Sequence, residues 1–270
     1  MNTTFSLAFA FALVVMIVLP VLLALVVART RRVPFRVVLV AAGFYLLNLA
    51  VNVPLTGFVW PLLLGRSSLL TLLLTCLTWG VCEELARYAS FRFVRVMKEN
   101  RTDSGALAAG LGHGGAESVL FGLQFAAGTV LVLLFPHQFP AGARAQIFAN
   151  GPTGFILTGL DRIPALACQL AFAVLVVLAF RRGRRYLLLA IAAHTAVDVV
   201  VFGIQKYVQG FWFEAVFALL GGCSLVFVAL VVRSGVLADD GAATGPQRVD
   251  PPPRSRSRSQ PDVSPEGPSA

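Results

Sequence analysis

Charged residues are scarce in this sequence. Asp, Glu, Lys and Arg make up 13% of its 270 residues, and hydrophobic residues make up 57%, whereas an ordinary soluble domain has roughly 25% charged residues. This composition excludes a water-soluble globular protein. The formal net charge is +9, but the basic residues lie in short loops at the ends of apolar runs, as they do in the cytoplasmic loops of membrane proteins. We therefore predict a lipid bilayer, and no nucleic acid, as a partner of this chain.

The sequence also lacks paired-cysteine motifs and the features of a cleaved secretory signal. The cysteines, Cys76, Cys82, Cys168 and Cys223, lie within apolar segments and no two of them form a CxxC motif, which excludes a disulfide framework and a zinc knuckle. The N-terminus lacks the cationic start of a secretory signal and shows no obvious cleavage site. Because it stays apolar for more than twenty residues, we predict a retained first membrane helix.

Long apolar runs are abundant, and each is long enough to cross a hydrocarbon core about 30 Å thick. The sequence predicts an all-α fold, a polytopic membrane helix bundle of about seven transmembrane helices within residues 1–234. The remaining residues, 235–270, are rich in Pro, Ser and charge and are predicted to be a disordered cytoplasmic tail. The predicted spans are about 4–28, 37–64, 68–94, 105–135, 154–180, 186–204 and 211–232.

The loops between these spans differ in positive charge. Arginines and one lysine cluster at residues 29–36, 87–101 and 181–185, whereas the alternate loops contain only Arg66, Arg144 and Lys206. The positive-inside rule places the richer side in the cytoplasm. We therefore predict a multi-pass protein of the plasma membrane with its N-terminus out and its C-terminus in.

Ionisable residues interrupt four of the predicted spans. A charged side chain near the centre of a membrane helix costs roughly 2.5–3.5 kcal/mol on insertion scales, so such groups must be paired, hydrated or bound to an ion. They are functional candidates for that reason. The third span contains Glu83, Glu84 and Arg87, the fourth His113 and Glu117, the fifth Asp161 and Arg162, and the sixth His194 and Asp198.

Three of these groups are predicted to meet at one depth. His113 and Glu117 are four residues apart, as are His194 and Asp198, so each pair projects from one face of its helix. Counted from Arg95, Arg101 and Arg185 respectively, Glu84, His113 and His194 lie about 14–18 Å from the cytoplasmic boundary at helical rise. The sequence thus predicts a single buried polar centre.

The residue types at this centre suit zinc. Imidazole nitrogens and carboxylate oxygens are good zinc ligands, and a catalytic zinc takes three protein ligands and a water. One of the two acids could instead orient an imidazole rather than bind the metal. The candidate ligands are His113, Glu117, His194 and Asp198.

The third span supplies the remaining groups of a hydrolytic site. Glu83 or Glu84 would accept the proton of the attacking water. Arg87 would hold the other carboxylate or a developing oxyanion. Each histidine taken alone is as readily explained as a hydrogen-bonded packing residue, so the functional interpretation depends on the three groups together.

These motifs resemble those of the YhfC family of intramembrane metalloproteases, which is itself similar to the PrsW and CAAX prenyl-endopeptidase groups. The EExxR motif is Glu83, Glu84 and Arg87, the GxGHGGxE motif runs from Gly110 to Glu117, and the HxxxD motif is His194 and Asp198. Together they cover roughly residues 79 to 200.

The resemblance implies hydrolysis of a peptide bond in a membrane-embedded or membrane-proximal substrate, such as a membrane protein or a lipidated peptide. It leaves open whether the Glu/His centre uses zinc or is metal-free. The family pattern also has a Glu-Arg pair followed by a His, where this chain has Asp161, Arg162 and Gln169. Because Asp161 and Arg162 lie near the outer end of the fifth span, away from the centre, we predict a structural or gating pair there.

A proton-coupled transporter or channel is the alternative function, because Asp, Glu and His within spans also form proton relays. That function predicts polar residues strung across the whole membrane. Here they gather at one level, with apolar stretches beyond them, which favours a closed catalytic chamber. A catalytically inactive membrane scaffold is the third possibility.

Overall fold

A computed structural model of the chain describes residues 3–140, 142–205 and 211–237. Lys206 and residues 238–270, most of the predicted tail, lie outside these described residues. The described chain is helical and contains no strand. Seven of its helices are long and apolar enough to cross a membrane, which confirms the predicted spans. The orientation of the termini stays a prediction.

The seven long helices are named α1 to α7 here. Their bounds are Thr3–Thr30 (α1), Arg36–Leu64 (α2), Leu69–Phe93 (α3), Asp103–Leu134 (α4), Gly151–Arg182 (α5), Arg185–Gln205 (α6) and Phe211–Arg233 (α7). Shorter helical segments lie between α3 and α4 at Arg95–Glu99, and between α4 and α5 at Pro136–Gln138 and Ala143–Phe148.

Helix caps fix where α3 and α4 begin. The Ser68 side chain accepts a hydrogen bond from the Thr71 N–H at 3.0 Å, and Thr102 accepts one from the Gly105 N–H at 3.1 Å. Side-chain oxygens at these positions satisfy backbone donors that the first helical turn leaves free. Because a short connection joins the two helices, they run in opposite directions, and their polar groups reach the same level of the bundle.

Helix α5 lies at the centre of the bundle. It packs against α3, α4, α6 and α7, and its residues from 166 to 179 are buried with the exception of Leu170. The other helices expose apolar side chains on their outer faces, including Leu62, Phe93 and Leu134. Exposed apolar side chains on this scale are expected of a helix bundle whose surroundings are lipid rather than water.

The glycines of α4 allow its neighbours to approach closely. A Cβ atom at Gly112 would lie 2.4 Å from the backbone oxygen of Val38 in α2. One at Gly114 would lie 2.6 Å from the Cβ atom of Gln169 in α5. Small residues that bring helix backbones together are the usual basis of packing between membrane helices.

Helix α1 is tied to α4 by a hydrogen bond beside the polar centre. Pro20 has no N–H, so the backbone oxygen of Met16, four residues earlier, lacks its helical donor. The Ser118 hydroxyl donates to this oxygen at 2.8 Å, and a turn of π-helix runs from Val14 to Val18. Because Ser118 directly follows Glu117 in α4, this contact holds α1 against α4 next to the polar centre.

We expect Gly112→Ala to destabilise the protein. The new Cβ would meet backbone atoms of α2, and overpacking of this kind costs about 1–3 kcal/mol. The matched control is Gly43→Ala in α2, because no heavy atom of the described residues outside its own stretch of helix lies within 4 Å of that Cβ position. Melting of both variants in detergent should show a lower melting temperature for Gly112→Ala alone. Equal melting temperatures would contradict the close contact.

Candidate active site

The polar groups of α3, α4 and α6 meet inside the bundle, as their predicted depths require. Glu84, Arg87 and His113 have at most 1% of their surface exposed, and Glu83 and His194 are also buried. The contacts among them link α3 to α4 and α3 to α6. Buried charges in a protein are stable only when paired and hydrogen-bonded, and these groups provide one another's partners.

Glu84 is fully engaged by its neighbours. Arg87 Nη1 donates to the two Glu84 carboxylate oxygens at 2.5 and 2.7 Å, and His194 Nδ1 hydrogen-bonds Oε1 at 2.8 Å. Since a carboxylate only accepts hydrogen bonds, the His194 Nδ1 atom carries the proton. The contact therefore orients the imidazole and leaves its Nε2 atom for other partners.

Glu83 faces the two histidines. Its Oε2 atom lies 3.1 Å from His113 Nε2 and 3.9 Å from His194 Nε2. Unlike Glu84, it has no arginine among its hydrogen-bond or ion-pair partners in the described chain, and it lines a cavity. The two candidates for the base therefore have different surroundings: Glu84 is bound by an arginine, whereas Glu83 faces the cavity.

Asp198 lies beside His194 as their four-residue spacing predicts. Its Oδ2 atom is 3.6 Å from His194 Nε2 and has no hydrogen-bond partner in the described part of the chain. The Phe172 ring stacks on the His194 ring with 4.5 Å between centroids, and Tyr45 packs edge-on against His113 at 5.0 Å. Aromatic side chains thus wall both imidazoles.

Glu117 is held by α5. Gln169 Nε2 donates to Glu117 Oε2 at 2.6 Å, and Arg162 Nη1 lies 3.6 Å from Oε1. The prediction that Arg162 lies away from the centre is wrong, because α5 brings its long side chain to this carboxylate. Asp161 contacts Glu214 of α7 and also interacts electrostatically with Arg162, so their role as a structural or gating pair stays a prediction.

Two cavities meet at the centre. The larger has a volume of about 270 Å³ and lies among α2, α3, α4 and α6, and the smaller has about 140 Å³ and lies among α4, α5, α6 and α7. Both are lined by Glu117, His194 and Asp198, and only the larger is lined by Glu83. The polar lining of the larger cavity consists of Tyr45, Asn52, Thr56, Glu83, Glu117, Gln124, His194 and Asp198.

Several of these lining residues escape sequence reasoning. Asn52 and Thr56 line the cavity, and together with Asn48, which lies outside the lining, they recur every four residues in α2. This polar stripe in an apolar span is visible in the sequence. Asn52 Nδ2 donates to Asn48 Oδ1 at 2.7 Å, and the Thr56 hydroxyl donates to the Asn52 backbone oxygen at 2.8 Å. The position of Tyr45 against His113 had no signal in the sequence, because it depends on how α2 packs on α4.

The donor atoms at the centre suit a zinc ion in their chemistry. His113 Nε2, His194 Nε2 and Asp198 Oδ2 are of the types zinc binds, and the last is a buried oxygen without a hydrogen-bond partner among the described residues. His194 also makes the contact typical of a metal-binding histidine, from its other nitrogen to a carboxylate. The placed side chains of residues 3–140, 142–205 and 211–237 nevertheless form no group of three or more His, Cys, Asp and Glu that could hold a metal ion.

Comparison with known proteins identifies the family. A family model described as YhfC intramembrane metalloprotease matches residues 15–219. The chain belongs to this family. Among curated proteins, the uncharacterized membrane protein YhfC of Bacillus subtilis (strain 168) is 27% identical over 179 residues, which cover 58% of this chain and 67% of that protein. No solved structure matches the chain.

Membership of the YhfC family confirms the resemblance drawn from the three motifs. The matched residues include all seven motif side chains from Glu83 to Asp198. With seven helices able to span a bilayer, this YhfC family member is a multi-pass integral membrane protein. The family name describes a metalloprotease, and it implies a metal without giving its position or the residues that bind it.

Breaking the buried ion pair of Arg87 and Glu84 should unfold much of the protein. Arg87→Gln leaves Glu84 with an uncompensated charge, and removal of one partner of a buried pair costs about 3–5 kcal/mol. The matched control is Arg95→Gln, because Arg95 pairs with Glu99 at 2.7 Å in an exposed position, where ion pairs contribute little. Chemical denaturation should separate the two variants clearly, and equal stability would contradict the buried pair.

Proposed function

We propose that this protein is an intramembrane peptidase that hydrolyses a peptide bond with water activated by Glu83. The observation that carries the proposal is the position of Glu83 Oε2, which lies 3.1 and 3.9 Å from the Nε2 atoms of His113 and His194. The same side chain lines the 270 Å³ cavity. A carboxylate beside two imidazoles and open space is suited to accept a proton from water.

The proposed reaction assigns one proton path. Glu83 takes a proton from a water molecule as the water oxygen bonds to the carbonyl carbon of the substrate. The carbon–nitrogen bond then breaks, and Glu83 returns the proton to the leaving amine. The Glu84–Arg87 pair takes no proton in this scheme, because its role is to hold His194 through Nδ1.

Zinc is the metal that the donor set suits best. We propose that His113 and His194 would hold it through their Nε2 atoms, with the ion replacing the contact of His113 Nε2 with Glu83, and that Asp198 would supply a carboxylate oxygen. When bound, the ion supplies a Lewis acid that polarises a carbonyl and makes water a nucleophile at neutral pH. Glu117, the fourth candidate ligand from the sequence, is the least available of the four because Gln169 and Arg162 already contact its oxygens.

The proposed substrate is a membrane-embedded or membrane-proximal peptide segment, as part of a membrane protein or a lipidated peptide. The larger cavity combines apolar walls, such as Leu49, Val53 and Leu120, with the polar groups of Asn52, Thr56 and Gln124. Apolar walls with a few placed polar groups are typical of ligand sites. Such a lining accommodates both the side chains of a hydrophobic peptide and its backbone.

Helix α5 supports the alternative function, a proton-coupled transporter or channel, less well than it supports a peptidase. Between Gln169 and Arg181 this helix contains only apolar residues, and those from Ala171 to Ala179 are all buried. This segment is about 16 Å long at helical rise and offers no hydrogen-bonding side chain to a proton or solute. This apolar stretch of the central helix favours hydrolysis over passage through the membrane.

The variant Glu83→Gln should abolish peptide cleavage without unfolding the protein. An amide has almost the same shape as the carboxylate but cannot accept the proton of water, so we expect at least a 100-fold loss of rate, within the range of about 10²–10⁴ for a lost general base. The measurement is cleavage of internally quenched apolar peptides by protein in lipid vesicles, with melting temperature recorded alongside. Unchanged cleavage would exclude Glu83 as the base. Proton uptake into the vesicles without cleavage by the wild type would favour the transporter.

Purified wild-type protein should contain about one zinc per chain, and His113→Ala or His194→Ala should lose most of it. The control is His137→Ala, because His137 lies exposed in the segment after α4. Elemental analysis of protein in detergent measures the zinc directly. Metal in none of the samples would support the metal-free Glu/His mechanism instead, and zinc lost only with His137 would place the metal elsewhere.

A further inference from the structure

We propose that Gln169 is a positioning residue that holds the carboxylates of Glu83 and Glu117 in the cavity, and that Arg87 sets its orientation. The catalytic part of this inference rests on the function proposed above. Gln169 lies on α5, is 5% exposed and contacts charged groups of both α3 and α4.

The orientation of the Gln169 amide follows from its neighbours. A guanidinium group has only donors, whereas an amide has an oxygen that accepts and a nitrogen that donates. Arg87 Nη2 makes a short hydrogen bond to the amide, so the atom that faces Arg87 must be the oxygen. The NH₂ group is then turned away from Arg87 and towards α4.

The amide nitrogen has an acceptor for each of its two hydrogens. It lies 2.6 Å from Glu117 Oε2 and 3.4 Å from Glu83 Oε2. One neutral side chain thus joins the carboxylate that faces the histidines to the carboxylate that lines both cavities. Because the donor is uncharged, it holds Glu83 without forming an ion pair, and the carboxylate stays free to accept a proton.

The packing of α4 makes room for this side chain. A Cβ atom at Gly114 would lie 2.6 Å from Gln169 Cβ and 2.7 Å from Gln169 Cγ. Any larger residue at position 114 would displace the stem of the glutamine. The glycine, one residue after His113, therefore lets Gln169 pass between the helices and reach Glu117.

Three substitutions at this contact test the inference. Gln169→Leu removes both halves of the amide, and Gln169→Glu keeps the oxygen that faces Arg87 but removes the donor. The double variant Gln169→Glu/Glu117→Gln exchanges the two groups, so a donor and an acceptor again face each other between α5 and α4. The matched control is Gln138→Leu, since Gln138 lies exposed in the segment after α4 and lines neither cavity.

The peptide assay in vesicles should show a 10- to 100-fold lower kcat for Gln169→Leu with little change in KM, the usual range for a lost second contact to a catalytic group. The exchanged double variant should recover the melting temperature that Gln169→Glu loses. It should not recover kcat, because its donor no longer reaches Glu83. Gln138→Leu should keep the wild-type kcat.

Several outcomes would overturn the proposal. These are an unchanged kcat in Gln169→Leu, an exchanged variant that melts no higher than Gln169→Glu, or full recovery of kcat by the exchange. The melting temperatures need no substrate, so they decide the contact even where Gln169→Leu fails to fold or the wild type cleaves no peptide. In the latter case recovery of stability by exchange supports the positioning contact, while the proposed peptidase function fails separately.

Discussion

The burial of an ion pair in the middle of an apolar bundle constrains most of the structure. Glu84 and Arg87 are on adjacent turns of α3, with 2.5 Å between Arg87 Nη1 and Glu84 Oε1, and neither side chain is accessible to solvent. A buried pair of charges is stable only when its remaining hydrogen-bonding groups are also satisfied. His194 of α6 and Gln169 of α5 meet this need. The pair therefore fixes the mutual positions of three helices as well as the orientation of one imidazole.

Small residues make this arrangement possible. The backbones of α4 and its neighbours approach closely at Gly112 and Gly114, and α3 meets α6 at Gly80, where a Cβ would lie 2.3 Å from the Thr195 hydroxyl. Polar side chains can meet in a membrane bundle only when the helices that bear them come this close. The space that remains is the cavity along Glu83, where the charged groups and the open volume adjoin.

The spans and the meeting of the three motifs could be predicted from the sequence, because hydrophobic length and helical rise depend only on local residues. The different surroundings of Glu83 and Glu84 could not be predicted. They are adjacent on one helix, and only the positions of Arg87, His113 and His194 distinguish them. The contact of Arg162 with Glu117 and the central place of Gln169 were also hidden, since both depend on how α5 packs against α4. The disposition of the termini across the membrane remains a prediction from loop charge.

The central claim is that Glu83, His113 and His194 surround one reaction site within the membrane. An experimental structure of the zinc-supplemented wild-type protein in lipid nanodiscs, at a resolution that shows side chains, tests this claim most directly. The account predicts an ion or water in contact with the Nε2 atoms of both histidines, and the Glu83 carboxylate beside it. Imidazoles that face different sides of the bundle, with Glu83 turned towards lipid or paired with an arginine, would contradict it.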